Sequence, residues 1–176
     1  MAAPRQMTAN TLNALKGWPS QSAVDFHAKF ATSVVTTVLA GTVLSLDSSG
    51  NYTLGCDGAK MPLFLFNNSD DPDVVNDGGD ASADKGVFIA ISPTGQALAL
   101  PACGAYELVS TAFVSGYEDT VAINDHIRAQ VADLGLIEAG TLGTDTIVGV
   151  VSRGKVDNGY GHDAIAFWPQ YIPAQP

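Results

Sequence analysis

Short runs of β-branched and apolar residues, each followed by a cluster of Gly, Asn, Asp or Ser, recur along this chain. Two of them are nearly alike: residues 40–46 lead into the cluster at 48–51, and residues 146–154 lead into the cluster at 157–159. Runs of this kind closed by such turns are typical of strands and hairpins. The pattern therefore predicts an all-β fold in which the glycines shape bends.

The same criteria predict strands along most of the chain. Residues 61–66 form a continuous apolar run, which is typical of a strand buried on both faces, and Pro62 restricts its start to a sheet edge or a strand beginning. Gly41 is expected to bend or bulge the strand region 33–46. The other predicted strands are residues 23–30, 51–54, 87–91, 97–100, 106–113, 126–131, 147–151 and 164–168.

Residues 119–134 fit two patterns. Their apolar residues at 123, 127, 131 and 134 share one face of a helix, with Asp119 or Thr120 as a cap. Against this, Asn124-Asp125 is a good turn pair, and Ile127, Ala129 and Val131 alternate as in a strand. We favour a turn followed by a strand, and the helix stays the alternative.

The chain divides into an arm and one domain. Residues 1–30 mix Pro, Gly, Asn and Gln with isolated apolar residues, which predicts an extended N-terminal arm that ends in a first strand. Residues 31–176 are enough for one core, since a domain of about 150 residues buries about 70% of its unfolded surface. We expect a small barrel or a β-tulip-like sandwich there.

Charge argues against two classes of partner. The chain has 18 acidic and 8 basic residues and a net charge of −10, whereas binding to nucleic acid or to an anionic membrane surface requires clustered Lys and Arg. Three basic residues against one acidic residue give residues 1–30 a net charge of +2, so residues 31–176 carry −12. The arm is suited to docking on an acidic neighbour, unless its charge is chance over a short segment.

Residues 67–86 form a long acidic loop. The carboxylates of Asp70, Asp71, Asp73 and Asp77 are of the type that calcium prefers, but the spacing of a calcium-binding loop is absent. A solvated loop kept soluble by its charges is the favoured interpretation. We therefore predict no metal and no cofactor, with these four aspartates as the only weak metal candidates.

Motifs of catalysis are missing from the sequence. Residues 149–154 have the wrong spacing for a Gly-x-Ser-x-Gly nucleophile elbow. Residues 159–164 fit the Gly-x-Gly-x-x-Ala dinucleotide pattern by letter, but a strand pattern and Pro169 follow instead of a helix, which predicts a hairpin turn. The three histidines lie too far apart to suggest a zinc site. We predict that the protein is not an enzyme, and a hydrolase with a dispersed site is the least favoured class.

Cys56 and Cys103 are the only cysteines, and their spacing fits no zinc or redox motif. Isolated cysteines in apolar surroundings are more typical of reduced core residues than of a disulfide, although a pairing of the two stays open. The longest apolar stretch, residues 31–46, is too short and too polar to span a bilayer. The first 20 residues contain no continuous apolar segment of the secretory type.

A succession of strand runs and turn residues carries a family resemblance over about residues 36–173. It comprises residues 41–46, 50–54, 61–65 and 104–111, Tyr117, Asn124-Asp125, Gly140 and residues 147–154. In style and order this succession resembles tailed-bacteriophage head decoration proteins, also called capsid cement proteins. The acidic loop at 67–86 is a candidate insertion relative to the smallest members of that family.

The resemblance implies a structural role. Members of the family are small all-β proteins that bind the outside of the expanded capsid and often trimerise at threefold positions. For this chain it implies a virion protein on the capsid exterior, made in the host bacterial cytoplasm, with the major capsid protein as partner and a homotrimer as assembly. A terminal arm of the family often pairs with capsid strands, and the corresponding residues here are Arg5, Leu12, Leu15, Lys16 and Trp18.

Aromatic residues keep one alternative open. Trp18, Tyr160, Trp168 and Tyr171 would suit a carbohydrate-binding face, as in a β-sandwich module of a phage tail or host-attachment structure. The simpler expectation is that Phe167, Trp168 and Tyr171 close the core at the end of the chain.

Overall fold

The computed structural model describes residues 12–16, 26–35, 38, 41–58, 60–65, 96–102, 107–157 and 163–175. Within these residues the chain forms eleven strands and one turn of 3-10 helix at Tyr117–Asp119. The strands are β1 (Leu12–Lys16), β2 (Phe26–Lys29), β3 (Val43–Leu46), β4 (Tyr52–Leu54), β5 (Leu63–Leu65), β6 (Gln96–Pro101), β7 (Glu107–Ser110), β8 (His126–Arg128), β9 (Glu138–Ala139), β10 (Ile147–Asp157) and β11 (Asp163–Ile172).

The strands form two antiparallel sheets. The six-stranded sheet has the order β1-β7-β11-β10-β8-β9, and the five-stranded sheet has the order β2-β6-β5-β3-β4. Apolar side chains of both sheets meet in one core, so the two sheets pack face to face. The predicted all-β class is confirmed, in its sandwich form.

The main core lies between the sheets. Val43 and Phe64 come from the five-stranded sheet, and Leu108, Ile127 and Phe167 come from the six-stranded sheet. The rings of Phe64 and Phe167 lie 5.4 Å apart between centroids. Each fully buried side chain of this size stabilises the fold by about 1.5–3 kcal/mol, so this layer fixes how the two sheets lie against each other.

The five-stranded sheet is buried on its other face as well. Leu63 and Leu65 flank Phe64 in β5 and pack in a second cluster with Phe30 and Tyr52. Successive side chains of a strand point to opposite faces, so β5 is buried on both faces, as the continuous apolar run predicts. Pro62 immediately precedes β5, at a strand beginning as expected.

Both hairpins suggested by the two similar runs are present. β3 pairs with β4, and the Asp47 Oδ1 atom between them accepts hydrogen bonds from the N–H groups of Ser49 and Asn51, both at 2.8 Å. These bonds, chiefly the one from Asn51, hold the pKa of Asp47 below its usual value. β10 pairs with β11 over most of their lengths. The residues 158–162 that join them lie outside the described part of the chain.

The structure decides two regions for which the sequence pattern is ambiguous. Of the described residues in the range 33–46, those in β3 form a strand, whereas Ala31 and Val34 close a turn and Gly41 adopts a φ of 89°. After residue 119 the helix alternative is wrong: Asn124 has a φ of 72°, and strand β8 follows directly after Asp125. The favoured turn and strand are confirmed. The predicted strand at 87–91 lies outside the described residues.

Candidate functional site

The middle of the predicted arm forms the edge of the six-stranded sheet. β1 pairs antiparallel with β7, with Leu12 opposite Ser110 and Ala14 opposite Leu108. After an irregularity in the register, Lys16 lies opposite Glu107. Backbone pairing with a strand some ninety positions away therefore incorporates this segment into the sheet.

The structure brings three of the five proposed arm residues onto one strand. Leu12, Leu15 and Lys16 belong to β1, whereas Arg5 and Trp18 lie outside the described residues. The same is true of the weak metal candidates Asp70, Asp71, Asp73 and Asp77. Their roles stay predictions.

A buried carboxylate lies in β7 at the point where β1 ends. Glu107 is only 2% exposed. The Arg153 guanidinium donates to it from Nε and Nη2, both at 2.9 Å, and the Ser152 hydroxyl donates to its Oε1 atom at 2.5 Å. Two parallel bonds from one guanidinium are a strong and geometrically specific contact.

A bulge in β10 supplies both partners of Glu107. In the register of β10 with β11, Val151 pairs with Phe167 and Gly154 pairs with Ala166. The two residues between them, Ser152 and Arg153, are therefore extra and have no pairing partner on β11. Gly154 ends the bulge at a φ of 73°, where a residue with a Cβ would be strained. Because β11 lies between β7 and β10, the contact ties three neighbouring strands together.

The chemistry of this cluster suits anchoring. Three donor groups from two side chains occupy the Glu107 carboxylate, and no histidine takes part in these bonds. A serine nucleophile requires a base that takes its proton, whereas here the Ser152 hydroxyl donates to an acceptor already held by arginine. Sequence reasoning missed this cluster, since Glu107 and Arg153 lie 46 positions apart.

A second polar cluster surrounds Arg128 at the end of β8. Its guanidinium contacts Glu138 Oε1 at 2.9 Å and Asp145 Oδ1 at 2.7 Å. Burial raises the pKa of Glu138, and the neighbouring Asp133 adds to the rise against the opposing effect of Arg128. Burial also acts upward on the pKa of Asp145, but the Thr141 N–H and the Arg128 guanidinium outweigh it and hold that pKa below its usual value.

A polar pocket of about 240 Å³ lies beside this cluster, lined in part by Cys56, Arg128 and Thr146. Cys56 is a buried free thiol whose Sγ donates to the Lys60 carbonyl oxygen at 2.9 Å. Burial, reinforced by Asp57, raises its pKa to about 12. Because the thiolate is the reactive form, a raised pKa keeps this thiol protonated at neutral pH, which fits a reduced core residue. Cys103 lies outside the described residues.

The described part of the chain carries neither a metal cluster nor a membrane-spanning helix. Among the described residues, no three His, Cys, Asp or Glu side chains are arranged to hold a metal ion. That part of the chain also has no helix with the length and apolarity needed to cross a bilayer. Comparisons of the chain with protein-family models, with curated proteins and with solved structures found no match.

Proposed function

We propose that this protein is a virion structural protein of a tailed bacteriophage, which binds the outer surface of the expanded capsid and stabilises the shell. The major capsid protein is its partner, and a homotrimer is its working form. It is assembled onto virions after synthesis in the host cytoplasm. The proposal includes no catalytic activity, no cofactor and no nucleic-acid partner.

The observation that supports the proposal most is the pairing of β1 with β7. Residues 12–16 come from the segment assigned as the arm, and here they add a strand to a sheet edge. Strand addition depends on main-chain hydrogen bonds and needs little side-chain chemistry. A segment that pairs with its own sheet is competent to pair with an exposed strand of the capsid protein.

The rest of the molecule is suited to a mechanical role. The two sheets share one core, and the Glu107–Arg153 contact ties β7 to the bulge of β10 across β11. A domain of this kind transmits load between its attachment points with little deformation. Several modest contacts to neighbouring capsid subunits would then add up by multivalency and oppose outward movement of the shell.

The test is rebinding to expanded capsids that lack the decoration protein. We expect the full-length chain to bind them, and a chain without residues 1–16 to bind at least tenfold more weakly. A full-length R5Q/K16Q double variant is the matched control, because it removes the arm's charge and keeps its backbone; we expect it to lose less than the deletion. Absence of binding by the full-length chain would refute the proposal, and equal binding by the deletion would refute the role of the arm.

One observation supports a second candidate, a carbohydrate-binding module of a phage tail or host-attachment structure. Trp168 of β11 is 37% exposed, and Tyr171 is partly exposed, whereas Phe167 is fully buried in the core. Exposed aromatic rings present a flat apolar face of the kind that sugars stack on. This candidate predicts binding to a glycan array that is lost in W168A.

A further inference from the structure

A tight turn after β8 has a backbone shape that suits its sequence poorly. Leu134 and Gly135 have φ values of 55° and 78°, and the Leu136 N–H donates to the Asp133 carbonyl oxygen at 3.0 Å. These are features of a type I′ turn, in which Asn-Gly is the preferred central pair. Of the non-glycine residues that the structure describes, only Asn124 shares a positive φ with Leu134, and Asn tolerates it better than Leu does.

Leu134 gains little burial in exchange for this strain. Its side chain is 53% exposed, and Val131 in the same loop is 48% exposed. A bulky residue persists in an unfavourable backbone region when something else in the structure or the function requires it. Among the described residues, backbone contacts account for the shape of the turn, but burial does not account for a leucine at position 134, so a contact of this side chain with another molecule is indicated. We call Val131 and Leu134 the apolar turn.

Backbone contacts hold the apolar turn in place against β3. The Val43 N–H donates to the Gly135 carbonyl oxygen at 2.9 Å, and the Gly135 N–H donates to the Gln130 carbonyl oxygen at 3.0 Å. A Cβ at position 135 would lie 2.2 Å from the Val43 carbonyl oxygen, so only glycine fits there. The apolar turn is therefore presented in a fixed position, which lowers the entropy lost when it binds.

Two acidic side chains lie next to the apolar turn. Asp57 accepts a hydrogen bond from the Val131 N–H at 3.4 Å, and Asp133 is part of the turn itself. Two carboxylates, those of Glu138 and Asp145, contact Arg128. Asp133 lies close enough to Glu138 to raise the pKa of that carboxyl group. Lys60 is the cation of the neighbouring loop. The described residues of this region thus include four carboxylates and two cations. The carboxylates are those of Asp57, Asp133, Glu138 and Asp145, and the cations are Lys60 and Arg128.

We infer that the apolar turn docks in an apolar pocket of the capsid protein whose rim carries Lys or Arg, an inference that rests on the proposed function. An apolar anchor at the centre with a charged rim is the usual arrangement of an interface hot spot. Charge complementarity favours this partner over a second copy of the chain, because two copies would bring two acidic rims together.

The test compares L134N with I123N in the full-length protein. Ile123 is 60% exposed and lies at the other end of β8, so I123N makes the same chemical change away from the apolar turn. We expect L134N to raise the melting temperature by about 2–4 °C, because Asn suits a positive φ. We also expect it to weaken binding to undecorated expanded capsids at least tenfold, whereas I123N changes binding less than twofold. V131S, at an ordinary backbone position, should weaken binding in the same direction.

The outcomes separate this inference from the proposed function. If the wild-type chain binds capsids and both L134N and V131S bind equally well, the inference is overturned while the proposed function stands. If the wild-type chain does not bind, the proposed function fails and the inference fails with it. If L134N binds capsids normally but loses self-association in sedimentation experiments, the occupant is a second copy and the assignment to the capsid protein is wrong.

Discussion

Glu107 is the clearest case in which one residue depends on a distant part of the chain. Its buried carboxylate accepts two hydrogen bonds from the guanidinium of the half-exposed Arg153. Removing one partner of a buried pair leaves a poorly compensated charge, which is costly. Because Ser152 still donates in the variant and Arg153 is 49% exposed, we expect R153M to lower the free energy of unfolding by about 1–3 kcal/mol.

The matched control for R153M is K155M. Lys155 lies two positions along β10 and contacts Asp119 and Asp163 at 3.0 and 2.8 Å, but all three side chains are exposed. Exposed ion pairs contribute little, so K155M should have the smaller effect in urea unfolding. Equal losses in the two variants would show that Arg153 acts as an ordinary surface charge.

Two carboxylates contact the Arg128 guanidinium, and the fold shifts their pKa values in opposite directions. The fold holds the pKa of Asp145 below its usual value and raises that of Glu138. A carboxyl group with a lowered pKa stabilises the fold above its unfolded pKa, near 3.8, and this stabilisation is lost as pH falls through the folded pKa. At pH 7 we expect D145N to cost about 1–2 kcal/mol, and E138Q to cost less.

The pH dependence checks this assignment. In urea unfolding, the difference between the wild-type chain and D145N should narrow as pH falls below about 4, because the unfolded state takes up the Asp145 proton there and the folded state does so only at a lower pH. Glu138 has a raised pKa, so its charged form is the less favoured one and E138Q should not show the same narrowing. A D145N difference that stays constant down to pH 2 would contradict the assignment.

At the scale of strands, the sequence predicts what depends on neighbours along the chain. Alternation and turn residues correctly place six strands: β4, β5, β6, β8, β10 and β11. The hairpin of β3 and β4 follows from the Asp, Ser, Gly and Asn residues of its turn. β1 has no such pattern, because isolated apolar residues in a polar segment form a strand only when another edge offers main-chain partners. The bulge of β10 depends on Glu107 in the same way, through a contact between distant positions.

At Gly149 in β10, strand propensity and side-chain packing favour different residues. Propensity alone favours Ala over Gly inside a strand and would by itself make G149A stabilising. A Cβ at this position would lie 2.8 Å from Phe167 Cδ2 and 2.9 Å from the Trp168 carbonyl oxygen, which is too close. We expect G149A to lower the free energy of unfolding by about 1–3 kcal/mol, measured by urea unfolding. A stabilised variant would contradict this packing of β10 against β11.

At the scale of the whole molecule, the net charge of −10 opposes contact between copies. The proposed homotrimer must overcome this repulsion, and added salt screens it, since the Debye length falls from about 30 Å at 0.01 M to about 10 Å at 0.1 M. We therefore expect self-association to strengthen with salt, as followed by sedimentation velocity between about 0.01 and 0.3 M. An assembly that dissociates as salt rises would show that opposite charges join the copies.

Binding to the capsid should respond to salt in the opposite direction. If acidic side chains around Val131 and Leu134 meet a basic rim on the capsid protein, screening weakens their attraction and slows association. A trimer with three such contacts amplifies the effect, because the affinities of linked contacts multiply and a weakening of each one is compounded. The two measurements on one preparation, sedimentation and capsid rebinding across the same salt series, should therefore give slopes of opposite sign. Slopes of the same sign would mean that one surface serves both contacts, and that the acidic rim does not select the capsid partner.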